Sequence, residues 1–376
     1  MRRISQLSVV LFLLLTFVVT PASAAREPKL LSEGEARYPH AIRLSGGDVV
    51  ASVDLWGDGG GIAEIYRSAN GTSFRKVGTI EDPEAARGLC CAHLFELPQR
   101  VGAMPAGTLL WAGSVGRNHG QMTMRIWRSG NCGTTWSYLS TCGTSPNSGG
   151  VWEPELSIDA AGRLVCHFAD ESHTGHSQAL VRTTSADGIT WSDKVFTVAV
   201  SPRGYRPGMP HVRRLPSGEY LMTYEICGQR GQYFCEAFFR MSPDGANWGD
   251  PADPGTRLHS QDGRYFAHTP TVELAENGTK TGRLVLIGQM LVSSDGKVDP
   301  GNGATLFVSD HGPGGPWVEA PAPVQVPTAR DVNCPNYHPT LVASTDGRKV
   351  LELTSDYNAN GLCQVRFATG PLPPRP

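Results

Sequence analysis

Two glutamates stand out by their surroundings. Glu153 lies in Val151-Trp152-Glu153-Pro154-Glu155, an acid between an indole and a proline, and Glu225 closes the apolar run Leu221-Met222-Thr223-Tyr224. An aromatic ring beside a carboxyl group withdraws water from it, raising its pKa and keeping a proton available near neutrality. A carboxyl group set in an apolar strand is desolvated in the same way, and its burial asks for a partner or a chemical role. Two carboxyl groups facing one bond, one protonated and one ionised, are what cleavage of a glycosidic bond requires. Arg37, Tyr38, His93, Trp152, Arg206, His268 and Tyr337 recur beside prolines or strand starts and would supply stacking faces and hydroxyl-binding groups for a sugar. Whether these side chains meet depends on the elements that carry them.

Two internal repeats define those elements. The first has the form Ser-x-(Asp/Asn)-x-Gly-x-Thr-Trp at Ser129–Trp136, with shorter copies at Ser185–Trp191, Ser242–Trp248 and Ser68–Phe74 and a distorted one from Ser309 to Trp317. It reads as a hairpin turn: Asp or Asn and Gly accept the positive φ, Ser and Asp bond local backbone, and the aromatic plugs the fold beneath. The second repeat runs out of phase and marks strand starts at Tyr38-Pro39-His40, Ala92-His93, Glu153-Pro154-Glu155, Pro210-His211, Pro270-Thr271 and Pro339-Thr340. Proline at a strand's first residue removes no ladder bond, so it can recur there. Most copies are followed by a Gly-containing turn and a second apolar strand. Six units of about four strands each predict an all-β fold, a single six-bladed β-propeller, over residues 25–376. No linker interrupts the period, which argues against two β-sandwich domains. In a propeller, residues at the innermost strand starts gather at one mouth of the central channel, and there Glu153 and Glu225 would face each other.

Composition agrees. Gly 44 and Pro 28 in 376 residues exceed the ordinary share and signal many turns, while 40% hydrophobic content excludes disorder as the main state. A net charge of −2 without a basic stripe excludes nucleic acid as partner. Arg2 and Arg3, the apolar run Leu7–Thr20 and Ala22-Ser23-Ala24 read as a signal peptide cleaved after Ala24, too short to span a membrane. A secreted protein, not held at a membrane, is therefore expected, and it is expected to act as a monomer. The nine cysteines then lie in an oxidising compartment. Hairpin-like spacing favours the pairs Cys132–Cys142 and Cys227–Cys235, with Cys334–Cys363 stapling the last segment and Cys166 open to Cys90 or Cys91. No Cys/His spacing suits zinc, and neither a metal at the site nor another cofactor is expected, while Asp159, Asp170 and Asp187 in turns leave a structural calcium open.

Beyond the turns, which are similar to those of sialidases and related proteins, five fragments carry a more specific likeness. Val151-Trp-Glu-Pro-Glu155, Phe168-Ala-Asp-Glu171, His176-Ser-Gln178, Tyr205-Arg-Pro-Gly-Met209 and Tyr224-Glu225 together resemble glycoside hydrolase family 93. These are six-bladed propeller exo-arabinanases that release arabinobiose from α-1,5-linked L-arabinan with retention at the anomeric carbon. The resemblance implies that Glu153 and Glu225 are the catalytic carboxyl groups and that Tyr337 matches a tyrosine near the site. A polysaccharide or oligosaccharide is the implied partner. It also points to Ser145–Gly150 and Gln229–Gln232 as walls that close one end of the groove. Two alternatives stand beside this reading. An exo-α-sialidase is suggested by Arg37-Tyr38-Pro39 and Tyr337-His338, but needs three arginines on one carboxylate, of which Arg37 and Arg206 are two. A glycan-binding propeller without catalysis is the other.

Overall fold

The computed structural model describes residues 27–375 except 56–61, 117–120, 230 and 232–233. The expected signal peptide lies outside the described residues, as do Arg230 and Gln232 of the expected groove wall. The strands form six antiparallel sheets that follow one another along the chain. The first comprises Ala36–Arg43, Val49–Leu55, Ile62–Ser68 and Arg75–Glu81, and the second Leu89–Glu96, Leu109–Val115, Thr123–Ser129 and Ser137–Thr144. Val151–Ile158, Leu164–Asp170, Ala179–Ser185 and Val195–Val198 make the third. The fourth, built on Arg206–Arg214, Tyr220–Cys227 and Glu236–Ser242, is extended by the short strands Thr256–Arg257, Tyr265–Ala267 and Met290–Val292. The fifth runs from Thr271–Ala275 to Val318–Pro321. In the sixth, Lys29–Leu30 from the start of the chain pairs with Cys363–Pro371, so both ends of the chain share one blade. This is the six-bladed β-propeller that the repeats predict.

The turns follow the first repeat's chemistry. In the third blade Ser185 Oγ accepts the N–H of Gly188 (2.8 Å), while Asp187 Oδ1 accepts those of Ile189 and Thr190 (2.8 Å each). Ser242 and Asp244 repeat the arrangement in the fourth blade. Each blade is apolar on both faces and buries them against its neighbours: Ile126 and Cys142 of the second blade pack with Leu156 and Phe168 of the third. Trp111 is fully buried in the cluster shared by the first two blades.

The proline repeat has a different geometry from a plain strand start. In the first four blades the ladder shifts register within the innermost strand, between Arg37 and His40, Cys90 and His93, Trp152 and Glu155, and Gly208 and His211. Strand pairing thus begins before the repeat, and the proline or its counterpart sits in a bulge. The residue that opens each bulge has positive φ: Tyr38 (51°), Cys91 (66°), Glu153 (60°) and Met209 (53°). Thr269 (47°) and His338 (52°) hold the corresponding places in the last two blades. For non-glycine residues this conformation costs roughly 1–3 kcal/mol each and persists only where surrounding structure enforces it.

The disulfides correct two expectations, the pair Cys132–Cys142 and the pairing of Cys166 with Cys90 or Cys91. Cys142 bonds Cys166 of the next blade, Cys90 bonds Cys91, and Cys132 has no disulfide; Cys227–Cys235 and Cys334–Cys363 form as expected. Cys132 lies in the turn, while Cys142 lies well along Ser137–Thr144, and a rise of ~3.3 Å per residue carries it out of reach. The nearest cysteine is then across the blade interface.

Candidate active site

The four bulges and their counterparts in the last two blades set six positive-φ residues at corresponding places around one end of the channel. A cleft there, with a cavity of about 250 Å³, is lined by Arg37, Tyr38, Cys90, Cys91, Trp152, Glu153, Glu171, Gln178, Arg206, Asn333 and Tyr337. Glu153 projects into it, and its Oε2 accepts the backbone N–H of Met209 in the following blade (2.7 Å). Glu225 comes from the second strand of the fourth blade, opposite Gly208, and its Oε2 accepts the N–H of Thr269 (2.7 Å). Each carboxyl group therefore holds the backbone of the next blade at its positive-φ residue.

Their separation follows from Gly208. A Cβ on that residue would lie 3.3 Å from Glu153 Oε2 and 3.6 Å from Glu225 Oε1. The two oxygens are no farther apart than the sum of these distances, a span that includes the ~5–5.5 Å of retaining carboxyl pairs. Burial raises the Glu153 carboxyl group to about 7, with the Met209 N–H opposing. Burial raises Glu225 to about 8, and the neighbouring Glu153 charge adds to it. The site can thus keep one carboxyl group protonated beside one that ionises more readily.

The other expected residues divide between the cleft and its surroundings. Arg206 is clamped: its guanidinium pairs with Glu171, reaches Gln178 Oε1 (2.5 Å) and donates to Ser177 O (3.2 Å). Arg37 pairs with Glu35 (2.6 Å) at the cleft edge. Tyr38 stacks on His338, ring centroids 4.0 Å apart, and meets Tyr337 edge-on at 6.0 Å. Trp152 is partly exposed on the cleft wall. His268 does not line the cleft but stands behind it, close to Glu225 and 3.4 Å from Asp331. His93 is displaced from its expected place. It lies two residues beyond the bulge residue Cys91, so its ring turns down the channel, where Nε2 meets Glu155 (2.7 Å), and it lines the cavity at the opposite mouth. Its counterparts in other blades, His40 and Glu155, likewise accept backbone N–H groups from the next blade, and the layer serves to join blades.

Sequence reasoning left out Glu171, Gln178, Gly208, Cys90 and Asn333. The first three stand inside the fragments that carry the family likeness, whereas nothing around Cys90 or Asn333 in the sequence marks them.

Two side-chain groups have metal-like spacing. His40, Glu155 and His211 bring donor atoms within 4.8 Å of one another. Their hydrogen bonds point elsewhere. Leu94 N–H donates to His40 Nδ1 (3.2 Å), and Arg213 donates to His211 Nε2 (3.3 Å), so each neutral ring carries its proton on the other nitrogen. Those nitrogens, His40 Nε2 and His211 Nδ1, have no hydrogen-bond partner among the described residues and present N–H groups, not lone pairs. The set suits an acceptor rather than a cation. In the group Glu225, Cys227, Cys235 and His268, the sulfurs are joined in a disulfide and offer no thiolate.

No protein-family model matches the sequence, and no curated protein matches it. Solved structures do. An α-L-arabinanase of Penicillium chrysogenum complexed with arabinobiose superposes with a TM-score of 0.77 at 24% identity, over 92% of this chain and 96% of that one. The GH93 α-L-arabinofuranosidase of Fusarium graminearum, also with arabinobiose, gives 0.77 at 22% identity over 92% and 97%. A Dyadobacter fermentans protein of unknown function gives 0.62 at 13% identity over 92% and 98%. Over nearly its whole length, this chain shares the six-bladed propeller fold of these proteins.

Proposed function

We propose that the protein is a retaining glycoside hydrolase, exported from the cell, that acts from one end of α-1,5-linked L-arabinan and releases arabinobiose. The observation that carries the reading is the meeting of two carboxyl groups over the bare backbone of Gly208: half-buried Glu153, in a cleft walled by Trp152, Tyr38 and Tyr337, and buried Glu225 beside it. The likeness in fold to structures solved with arabinobiose supports the choice of sugar.

In the reaction, Glu153 attacks the anomeric carbon as Glu225 gives its proton to the departing oxygen. Glu225 then takes a proton from water, whose oxygen attacks the same carbon and releases Glu153. The higher pKa of Glu225 favours it as acid, and Arg206 together with the Met209 N–H favours ionised Glu153 as nucleophile. An exo enzyme needs one end of its cleft closed. The Ser145–Gly150 loop is fastened beside it: Gly150 donates its N–H to Glu171 Oε2 (2.9 Å), and Asn147 Nδ2 donates to Ser172 O (2.9 Å). Four disulfides suit an exported protein.

The sialidase alternative finds less support, because among the described residues lining the cleft the arginines are Arg37 and Arg206, each already paired with an acid. Incubation with linear α-1,5-arabinan and, in parallel, sialyl-lactose, with chromatography of the products, tests the reading. Arabinobiose as sole early product is the expected result. Free sialic acid overturns it, and silence on both substrates favours a binding propeller.

A further inference from the structure

The bond between adjacent cysteines 90 and 91 lies in the cleft and has no role in the mechanism above. Cys91 is the second blade's counterpart of Glu153, the residue that opens the bulge with positive φ. Cys90 and Cys91 pack with Tyr38 and Met209, and Trp152 and Tyr337 lean on the same cluster. From beneath, Asp54 faces the backbone N–H groups of Cys91 and Ala92. Asp54 stands opposite Arg37 in the strand register as Glu225 stands opposite Gly208, so the first blade sets a carboxyl group toward Cys91 at the register position from which the fourth bonds Thr269.

A bond between sequence neighbours closes no chain loop, so it adds almost nothing to fold stability through the unfolded chain. What it does create is a surface. The linked side chains have no free rotamers, their two polarizable sulfurs carry no hydrogen-bond donor, and a surface that is already rigid loses little entropy when a ligand covers it. It adjoins Glu153 and Trp152 in the cleft lining.

We infer that the Cys90–Cys91 disulfide is a substrate-contacting platform, whose sulfurs pack against the apolar C–H face of the neutral sugar ring attacked by Glu153. This rests on the hydrolase reading above. The platform also selects. A charged or heavily hydroxylated face laid on it would lose water without gaining a partner, a penalty that hydrophobic walls impose on polar substrates.

The test begins with the unaltered protein on linear arabinan and with arabinobiose binding. Absence of both turnover and binding overturns the hydrolase reading and the platform with it. With an active parent, the Cys90→Ala/Cys91→Ala double variant is expected to fold with nearly unchanged Tm. It should raise KM about 10-fold or more, the range for lost apolar contact in a substrate pocket, while kcat changes less than about threefold. A folded double variant with parental KM overturns the platform alone. A second measurement needs no mutation: the parent is treated with a phosphine reductant, and alkylation at Cys90 and Cys91 is followed by mass spectrometry. Saturating arabinobiose should slow that alkylation at least about 10-fold and leave Cys334 and Cys363 unaffected. Equal rates with and without arabinobiose overturn the proposal even if the variant fails to fold.

Discussion

Glu153 and Glu225 meet across a residue that has no side chain. Their nearest oxygens lie 3.3 and 3.6 Å from the point where a Cβ of Gly208 would stand, and Gln178 Nε2 lies 2.7 Å from the same point. The space between the carboxyl groups is therefore kept open by the absence of one methyl group, and under the proposed function this is where the anomeric carbon and leaving oxygen sit.

Gly208→Ala should close that space. The added methyl must push Gln178, which donates to Pro207 O and holds Arg206, and it crowds Glu153. Turnover on arabinan is expected to fall about 100-fold, as displacements of about 1 Å in a catalytic pair do, with only a modest drop in Tm. Parental kinetics in the variant would show that this space is not the site of reaction.

The two glutamates should respond differently to the leaving group. Glu225→Gln is expected to lower turnover on arabinan at least ~100-fold, the range that general-acid catalysis supplies. On an aryl arabinobioside whose phenol departs without protonation, the same variant should keep a burst of phenol release, because the first step no longer needs an acid. Glu153→Gln should lose both. Stopped-flow measurement of the burst checks the assignment, and the opposite pattern would exchange the roles.

Activity should be bell-shaped in pH. The nucleophile must be ionised and the acid protonated, so kcat/KM should climb as pH rises through about 7 and decline above about 8. These limbs belong to the interacting pair. The charge of Arg206 holds Glu153 down, and the charge of Glu171, which Arg206 neutralises, raises it. Arg206→Ala should therefore move the acidic limb to higher pH. A limb that stays in place would mean that Arg206 does not act on Glu153.

Away from the cleft, Glu352 is fully buried, accepts the N–H of Val324 through Oε2 (2.8 Å), and is raised by burial to about 8. A carboxyl group raised in the folded state stabilises fully below its unfolded pKa, about 4.5, and loses that contribution as pH climbs through the folded value. Between pH 5 and pH 9 the parent's Tm should fall more than that of Glu352→Gln, with arabinan turnover unchanged. Thermal unfolding across that range decides it; parallel curves would place the titration elsewhere.

Much of the architecture was legible in the sequence because its signals are local. A Ser, an Asp or Asn and a Gly within five residues can satisfy one turn's backbone by themselves, as Ser185, Asp187 and Gly188 do. Repeated with the prolines, they count the blades. Glu153 and Glu225 were legible as candidates for a similar reason: an acid beside tryptophan, or ending an apolar strand, is anomalous in its own neighbourhood. What the tertiary structure decided were relations between blades. The bulge sets which residue faces the cleft and which, two places on, turns into the channel, so Cys91 lines the site while His93 lies in the layer beneath. Cys142 met Cys166 rather than Cys132 because strands carry residues away from their own turn and toward the next blade. The clamp of Glu171 and Gln178 on Arg206, and the gap at Gly208, depend on neighbours far away in sequence that only packing brings together. Composition and spacing determine the local turn and its count; distances between side chains of different blades arise only when all the blades close on one axis.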